Sequence, residues 1–308
     1  MNALVSKSLE RTFTATPDEL YAAFTHPVYL RRWLCDYAVI TGNIDRAGGA
    51  YLFTWDNGYN TSGHYTARVP GQRVAFTSHS EHDPGTMQIE VAIAADADNT
   101  DRTRVTLTQH DIPAQSDPDA IMEGWRLGFD RLAYFLETGL RRDASSGSDL
   151  WTPALYASAA DLSDALRRER VHLALDLSAI LAGVTDADAV RRPSDEVWSI
   201  SETLAHLIFT ERYLQLGVYG IIGGDDYFAW NDNNPAQLTP ILTACPTLDA
   251  LIAELKRAWD GSVGQIAALP PAIAADRLMF TQITLKWDWA GEHAREHFDQ
   301  IRAAIAAH

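Results

Sequence analysis

The feature that most limits what this chain can fold into is a break in its hydrophobic rhythm. Residues 138–149, TGLRRDASSGSD, gather glycine, serine and mixed charge between two apolar-periodic regions, the composition of a linker. Upstream, segments rich in β-branched and aromatic residues are interrupted by turn signals such as Asp56-Asn57-Gly58 and Val69-Pro70-Gly71, which is the pattern of strands. Downstream, long alanine- and leucine-rich stretches carry apolar residues three and four apart, punctuated by Pro193, Pro235, Pro246 and Pro270-Pro271, which is the pattern of helices. The expected organisation is one domain over 1–142, a linker over 143–150 and a second domain over 151–308. With 308 residues in all, each half is long enough to bury its own core.

Charge narrows the partners. The net charge is −16, with 13 basic and 18 acidic groups in 1–142 against 12 and 23 in 143–308, so neither half presents a basic face to phosphates. Nucleic acid and anionic membrane are therefore not expected as partners. Cys35 and Cys245 stand far apart without metal or redox spacing, which excludes a disulfide framework. The opening MNALVSKSLERTF has no apolar run of signal-peptide length, and no stretch approaches the roughly 20 apolar residues of a membrane span. A cytoplasmic, soluble protein is the expectation.

In the first half, Thr16-Pro17-Asp18-Glu19 supplies a cap, a proline at the first helical position and early acid, predicting a short helix with Leu20, Phe24 and Val28 inward. Alternation at Tyr51, Phe53 and Trp55, at Met87, Ile89, Val91 and Ile93, and at Val105 and Leu107 predicts strands with one apolar face. A final helix from Pro118 carries Met122, Trp125, Phe129, Leu132 and Leu136 as one stripe, which the sheet can cover. A bent sheet on a straight helix leaves room for an apolar cleft, and His64, His79 and His110 are candidates for a polar group within it. Ala15-Thr16-Pro17, Trp33, Gly48-Gly49, Pro70, the Thr103–Thr108 strand, His110 and Gly124-Trp125, in that order, resemble the heat-shock-protein ATPase activator homologues. These have the START-like helix-grip fold of the SRPBCC superfamily. The resemblance covers about 5–138 and implies an α+β domain holding a small hydrophobic ligand near Trp33, Phe53, Trp55, Met87, Trp125 and Phe129.

The second half reads as an all-α four-helix bundle, with helices at about 160–182, 199–220, 248–268 and 285–307. Ser199-Ile200-Ser201-Glu202 is a helix start, and Leu204, Ile208 and Leu214 mark the inward face, with His206 just beside it. Glu292-His293-Ala294-Arg295-Glu296-His297 sets two imidazoles at i and i+4 on one helical face. Two such histidines and a third from a facing helix would hold a divalent ion such as zinc and leave a position for water or a thiol. The same run matches His-x-x-Glu-His, a metalloprotease motif, but little chain remains after it to supply the third ligand from a later helix. Ser199 to His206, His293 and His297, with Trp198 before them and Gln300-Ile301 after, are similar to the DinB-like bundles. That resemblance spans about 151–308 and implies His206, His293 and His297 as ligands of zinc or nickel, with low-molecular-weight thiols as cosubstrates in some relatives.

Glu296 beside His297 is a candidate base or acceptor for an imidazole N–H, and Glu202 sits one turn before His206. Trp287, Trp289, Tyr213 and Phe209 are candidates for the approach to the metal. The acidic aromatic segment 223–236, GGDDYFAWNDNNPA, is a loop that lacks the oxygen spacing of a calcium site. Two functions stay open. One is a metal-dependent thiol transferase or hydrolase acting on a small hydrophobic molecule. The other is a non-catalytic ligand-binding or stress-related protein with a structural metal. A homodimer is compatible with either.

Overall fold

The computed structural model describes residues 4–41, 48–55, 57–80, 85–96, 101–113, 116–140, 156–224, 235–287 and 290–307. The linker expected at 143–150, Trp289 and nearly all of the 223–236 loop lie outside the described residues. Two compact units make up the chain, Met1–Asp149 and Leu150–His308 apart from the short piece Gly224–Asp226.

The first unit runs β1 (Val5–Phe13), α1 (Pro17–Thr25), α2 (Pro27–Trp33), β2 (Tyr37–Ile40), β3 (Ala50–Thr54), β4 (Asn60–Val69), β5 (Arg73–His79), β6 (Thr86–Ala95), β7 (Thr103–Ile112) and α3 (Pro118–Thr138). All strand pairs are antiparallel, in the order β1-β7-β6-β5-β4-β3-β2. The alternation read from the sequence is the burial pattern: Met87, Ile89, Val91 and Ile93 are buried on β6, and Val105 and Leu107 on β7. α3 packs on β1 and α2, burying Met122, Phe129, Leu132, Phe135 and Leu136, and at roughly 1.5–3 kcal/mol for each large side chain this stripe is a main source of the domain's stability. It stops at Gly139, whose left-handed φ of 74° lets its N–H reach Phe135 O, a conformation that favours glycine.

One expected helix is two. Thr16 and Glu19 form the full capping box that starts α1, but Val28 belongs to α2. Pro27 crowds the residue before it, so His26 is extended (φ −91°, ψ 119°) and the chain turns before Val28.

The second unit runs α4 (Ala159–Ile180), α5 (Asp186–Val190), α6 (Ile200–Gly223), a 3-10 turn at Pro235–Gln237, α7 (Thr239–Ala244), α8 (Leu248–Ala267), α9 (Pro271–Ala275), α10 (Arg277–Trp287) and α11 (Ala290–Ala306). α4 packs on α8 and α11, and α6 packs on α8, α10 and α11, closing a four-helix bundle around Leu173, Leu204, Ile208, Leu255, Trp259 and Phe298. Inside it, Arg170 and Glu211 form a buried ion pair at 3.0 Å. Burial pushes the Glu211 carboxyl up against the pull of the arginine.

The fourth expected helix, begun at Leu285, divides differently. Leu285 lies in α10, and α11 starts at Ala290. α10 buries Leu278, Met279, Phe280, Thr281, Gln282, Ile283 and Thr284 in succession, so it has no apolar stripe for a periodicity argument to find. Gly291, in the first turn of α11, lies under the Glu169 carboxylate, where an added Cβ would stand 1.9 Å from Oε1. Among the described residues no helix is long and apolar enough to cross a membrane.

Candidate metal centre

The site begins with the start of α6. Ser199 Oγ accepts from Glu202 N at 3.2 Å, and Glu202 Oε2 accepts from Ser199 N at 2.8 Å, a reciprocal cap that satisfies two backbone donors at the helix end. Arg192 clamps the same carboxylate from outside. Burial pushes the Glu202 carboxyl up, but the hydrogen bonds from Arg192 and Ser199 outweigh it and hold it below the usual range. Glu202 is therefore engaged as a cap and not as a partner of an imidazole. Trp198, just before the cap, is placed over the site.

Two turns into α6, His206 is buried and faces α11. His293 and His297, one turn apart on α11, meet it: His206 Nε2 is 3.4 Å from His293 Nε2, and His293 Nε2 is 3.1 Å from His297 Nε2. The ligand atoms of the three all lie within 4.8 Å of one another. Tetrahedral coordination with metal–nitrogen bonds of about 2.0–2.1 Å sets ligand nitrogens about 3.3 Å apart, so the triad has coordination spacing.

The remaining contacts fit the same chemistry. Gln300 Oε1 lies 2.8 Å from His297 Nδ1 and can only accept, so that nitrogen carries the proton and Nε2 is left with its lone pair toward the other rings. Burial pushes the His297 imidazole below its usual value, outweighing Gln300 and Glu296, and thereby favours the neutral form that binds metal. Trp198 lies nearly parallel to His297 (15°, centroids 6.3 Å apart) and 5.0 Å from the His206 ring, shielding that side from water. His206 and His297 are buried and His293 half-buried. The donor set, its spacing and its protonation fit a divalent ion.

Other expected positions are placed as follows. Glu296 is exposed on α11 beside His297. Phe209 and Tyr213 stack on each other at 6.2 Å, and Trp287 is buried in α10. In the first unit Trp33, Phe53, Met87 and Phe129 are buried, while Trp55 and Trp125 are half-buried. Trp33 and Phe129 both pack on Phe24, and Phe53 stacks on Tyr51. Gln109 ties Met87 to Trp125, donating to Met87 Sδ at 2.9 Å and accepting from Trp125 Nε1 at 2.7 Å. Trp55 stands apart, donating to Leu34 O. His64 and His79 are exposed, and His110 meets Ser6 at 3.1 Å. The side chain that sequence reasoning missed is Thr210, whose Oγ1 is 3.5 Å from His206 Nε2; its signal was its place four residues after His206 on the same face.

The geometry thus defines a two-domain protein, an antiparallel sheet with a long C-terminal helix followed by a helical bundle carrying a three-histidine cluster. Each half matches a family model. Residues 14–137 match the family model described as Activator of Hsp90 ATPase homolog 1-like protein, and residues 173–301 match that of the DinB superfamily. Solved structures similar to the chain include protein CV1439 from Chromobacterium violaceum, with 27% identity over 43% of this chain and 96% of its own and a TM-score of 0.38. The Aha1 dimer from Colwellia psychrerythraea is 20% identical over 43% of this chain and 96% of its own, with a TM-score of 0.37. SA2116 from Staphylococcus aureus, a protein of unknown function, is 20% identical over 44% and 96%, with a TM-score of 0.38. No curated protein matches the sequence.

Proposed function

We propose that the bundle holds zinc or nickel on His206, His293 and His297, and that the chain is a metal-dependent transferase or hydrolase for a small hydrophobic molecule, with a low-molecular-weight thiol as the cosubstrate of the transferase form. The observation that supports this reading most is the convergence of three Nε2 atoms at 3.1 and 3.4 Å, two of them from rings that are buried. Bound there, the ion would act as a Lewis acid that lowers the pKa of a water or thiol at the position the protein leaves open.

The chain's own contributions follow from its residues. His206 and His297 present nitrogens from a dry environment, Gln300 fixes the His297 tautomer, and Trp198 excludes water from one side. His293, half-buried, lies at the accessible side of the cluster. Glu296 is the candidate base, exposed next to His297. In the first domain, Trp33, Phe53, Trp55, Met87, Trp125 and Phe129 are the candidates for apolar ligand contact, with the Gln109 amide between Met87 and Trp125 as a polar anchor.

A structural metal in a ligand-binding protein is the second reading, favoured by the burial of two of the three ligands and the exposure of Glu296. Elemental analysis after loading with zinc or nickel, beside a His206→Ala, His293→Ala, His297→Ala triple variant, tests the site: about one ion per chain is expected in the wild type and none in the variant. Metal-dependent consumption of a thiol with a small hydrophobic electrophile then separates the enzyme from the binding protein. Equal, negligible metal in both chains would refute the site.

A further inference from the structure

Six threonines in this protein's helices share a habit that Thr210 lacks. Thr25, Thr138, Thr203, Thr243, Thr281 and Thr284 each donate to the carbonyl four residues back, at 2.7 to 3.0 Å. Thr210 does not. Its hydroxyl is buried, and its hydrogen-bond partner among the described residues is His206 Nε2 at 3.5 Å, one of the three converging ligand atoms. A buried hydroxyl left without a partner costs about 1–3 kcal/mol. Once the His206 Nε2 lone pair is committed to an ion, it can no longer accept the threonine's proton. The hydroxyl then needs a new acceptor, and it already stands at the edge of the cluster.

We propose that Thr210 is a positioning residue of the metal site, its O–H donating to the small anionic ligand that takes the coordination position the three imidazoles leave open. The inference rests on the metal reading above and deepens it. It names the class of ligand as an anion whose coordinating atom keeps a spare lone pair, such as a thiolate, a hydroxide or azide. A hydrogen bond to an ionised acceptor is about twice as strong as one to a neutral acceptor, so Thr210 favours such an anion over water at the same position.

The test loads the full chain with cobalt(II), a coloured stand-in for zinc, and titrates azide while following visible absorption. Thr210→Val keeps the side-chain shape and removes the hydroxyl. It is expected to take cobalt within about threefold of the wild-type affinity but to bind azide about three- to tenfold more weakly, the scale of one charge-assisted hydrogen bond less the bond that water also loses. Thr210→Ser, which restores the hydroxyl, is expected to recover most of the azide affinity. Thr210→Ala carries the same comparison if the valine variant fails to fold by circular dichroism. Azide affinity unchanged in the valine or alanine variant, with cobalt affinity intact, overturns the inference and leaves the triad standing. Cobalt affinity lost in the valine variant and restored in the serine variant makes Thr210 a direct ligand, which also overturns the positioning role. A wild-type chain that takes no cobalt refutes the metal reading itself, and this inference falls with it.

Discussion

Four aromatic side chains of the first domain and the three histidines of the second deal with their polar atoms in opposite ways. In the first, aromatic side chains enter the core with their polar tips discharged onto backbone carbonyls: Trp33 Nε1 onto Ala23 O, Tyr65 OH onto Phe24 O, Tyr51 OH onto Thr77 O, and the half-buried Trp55 Nε1 onto Leu34 O. Each bond closes locally, as expected where burying a donor without a partner is costly. In the second, three imidazoles turn their nitrogens toward one another at distances where at most one of any pair can donate. Local closure is the mark of a core. Convergence of three ring nitrogens on one point is the geometry a divalent-metal site requires.

The largest expected effect tests the first half of that comparison. Phe129 is fully buried on α3, edge-on to Phe13 at 5.4 Å and to Phe24 at 6.4 Å. As a core residue its loss leaves a cavity, and Phe129→Ala is expected to destabilise the first domain by about 3–5 kcal/mol while leaving metal stoichiometry unchanged. Denaturant unfolding followed by tryptophan fluorescence, beside elemental analysis, reads both. A loss well under 1.5 kcal/mol would mean that the ring borders open space, and would restore ligand contact as its main role.

How much of this was legible follows the same division. The β6 alternation and the α3 stripe could be read because each buries a single face, so periodicity and structure coincide. α10 could not, being buried through seven successive residues. His293 and His297 announce themselves by spacing. His206 does not, since Thr203, Leu204, Ala205, Leu207 and Ile208 around it are buried too and no stripe sets it apart; it took the likeness of the Ser199–His206 run to a known bundle to select it. Thr210 offered only its i+4 spacing from His206, for a plainer reason. A helical threonine ordinarily bonds its own backbone, and only the rotamer reveals the exception. Glu202 was visible as an acid near a histidine, yet what it touches is a helix end.

The next effect sharpens the second half of the comparison. Gln300 is exposed and lies outside the triad, but its 2.8 Å contact selects the His297 tautomer. Removing such an orienting group typically weakens metal binding by about 10–100-fold. Gln300→Ala is therefore expected to lower zinc affinity on that order in a competition with a chromophoric chelator, with little change in the melting temperature of the metal-free protein. Gln300→Glu keeps an acceptor and should hold most of the affinity. If alanine and wild type bind zinc alike, the His297 tautomer is set by the metal alone.

The smallest effect concerns the cap that carries His206 into place. The Glu202 carboxyl has a folded-state pKa below its unfolded value, because the bonds from Arg192 and Ser199 outweigh the burial that pushes it up. A depressed carboxylate contributes stability that is fully present above the unfolded pKa, about 4.3, and is lost as pH falls through the folded value. Glu202→Gln keeps the shape and an acceptor but removes the charge. It is expected to cost on the order of 1 kcal/mol at pH 7, the range of a hydrogen bond that loses charge assistance. The gap between the two proteins should close as the pH is lowered from about 5 through the folded pKa, since the wild-type carboxyl becomes neutral there as well. Urea melts of both metal-free chains at a series of pH values measure it, and keeping metal out separates the cap from proton competition at the histidines. A gap that stayed constant down to acid pH would place the cost in packing at the start of α6 and not in the charge of Glu202. The cap would then hold His206 by shape, as the first domain holds its tryptophans.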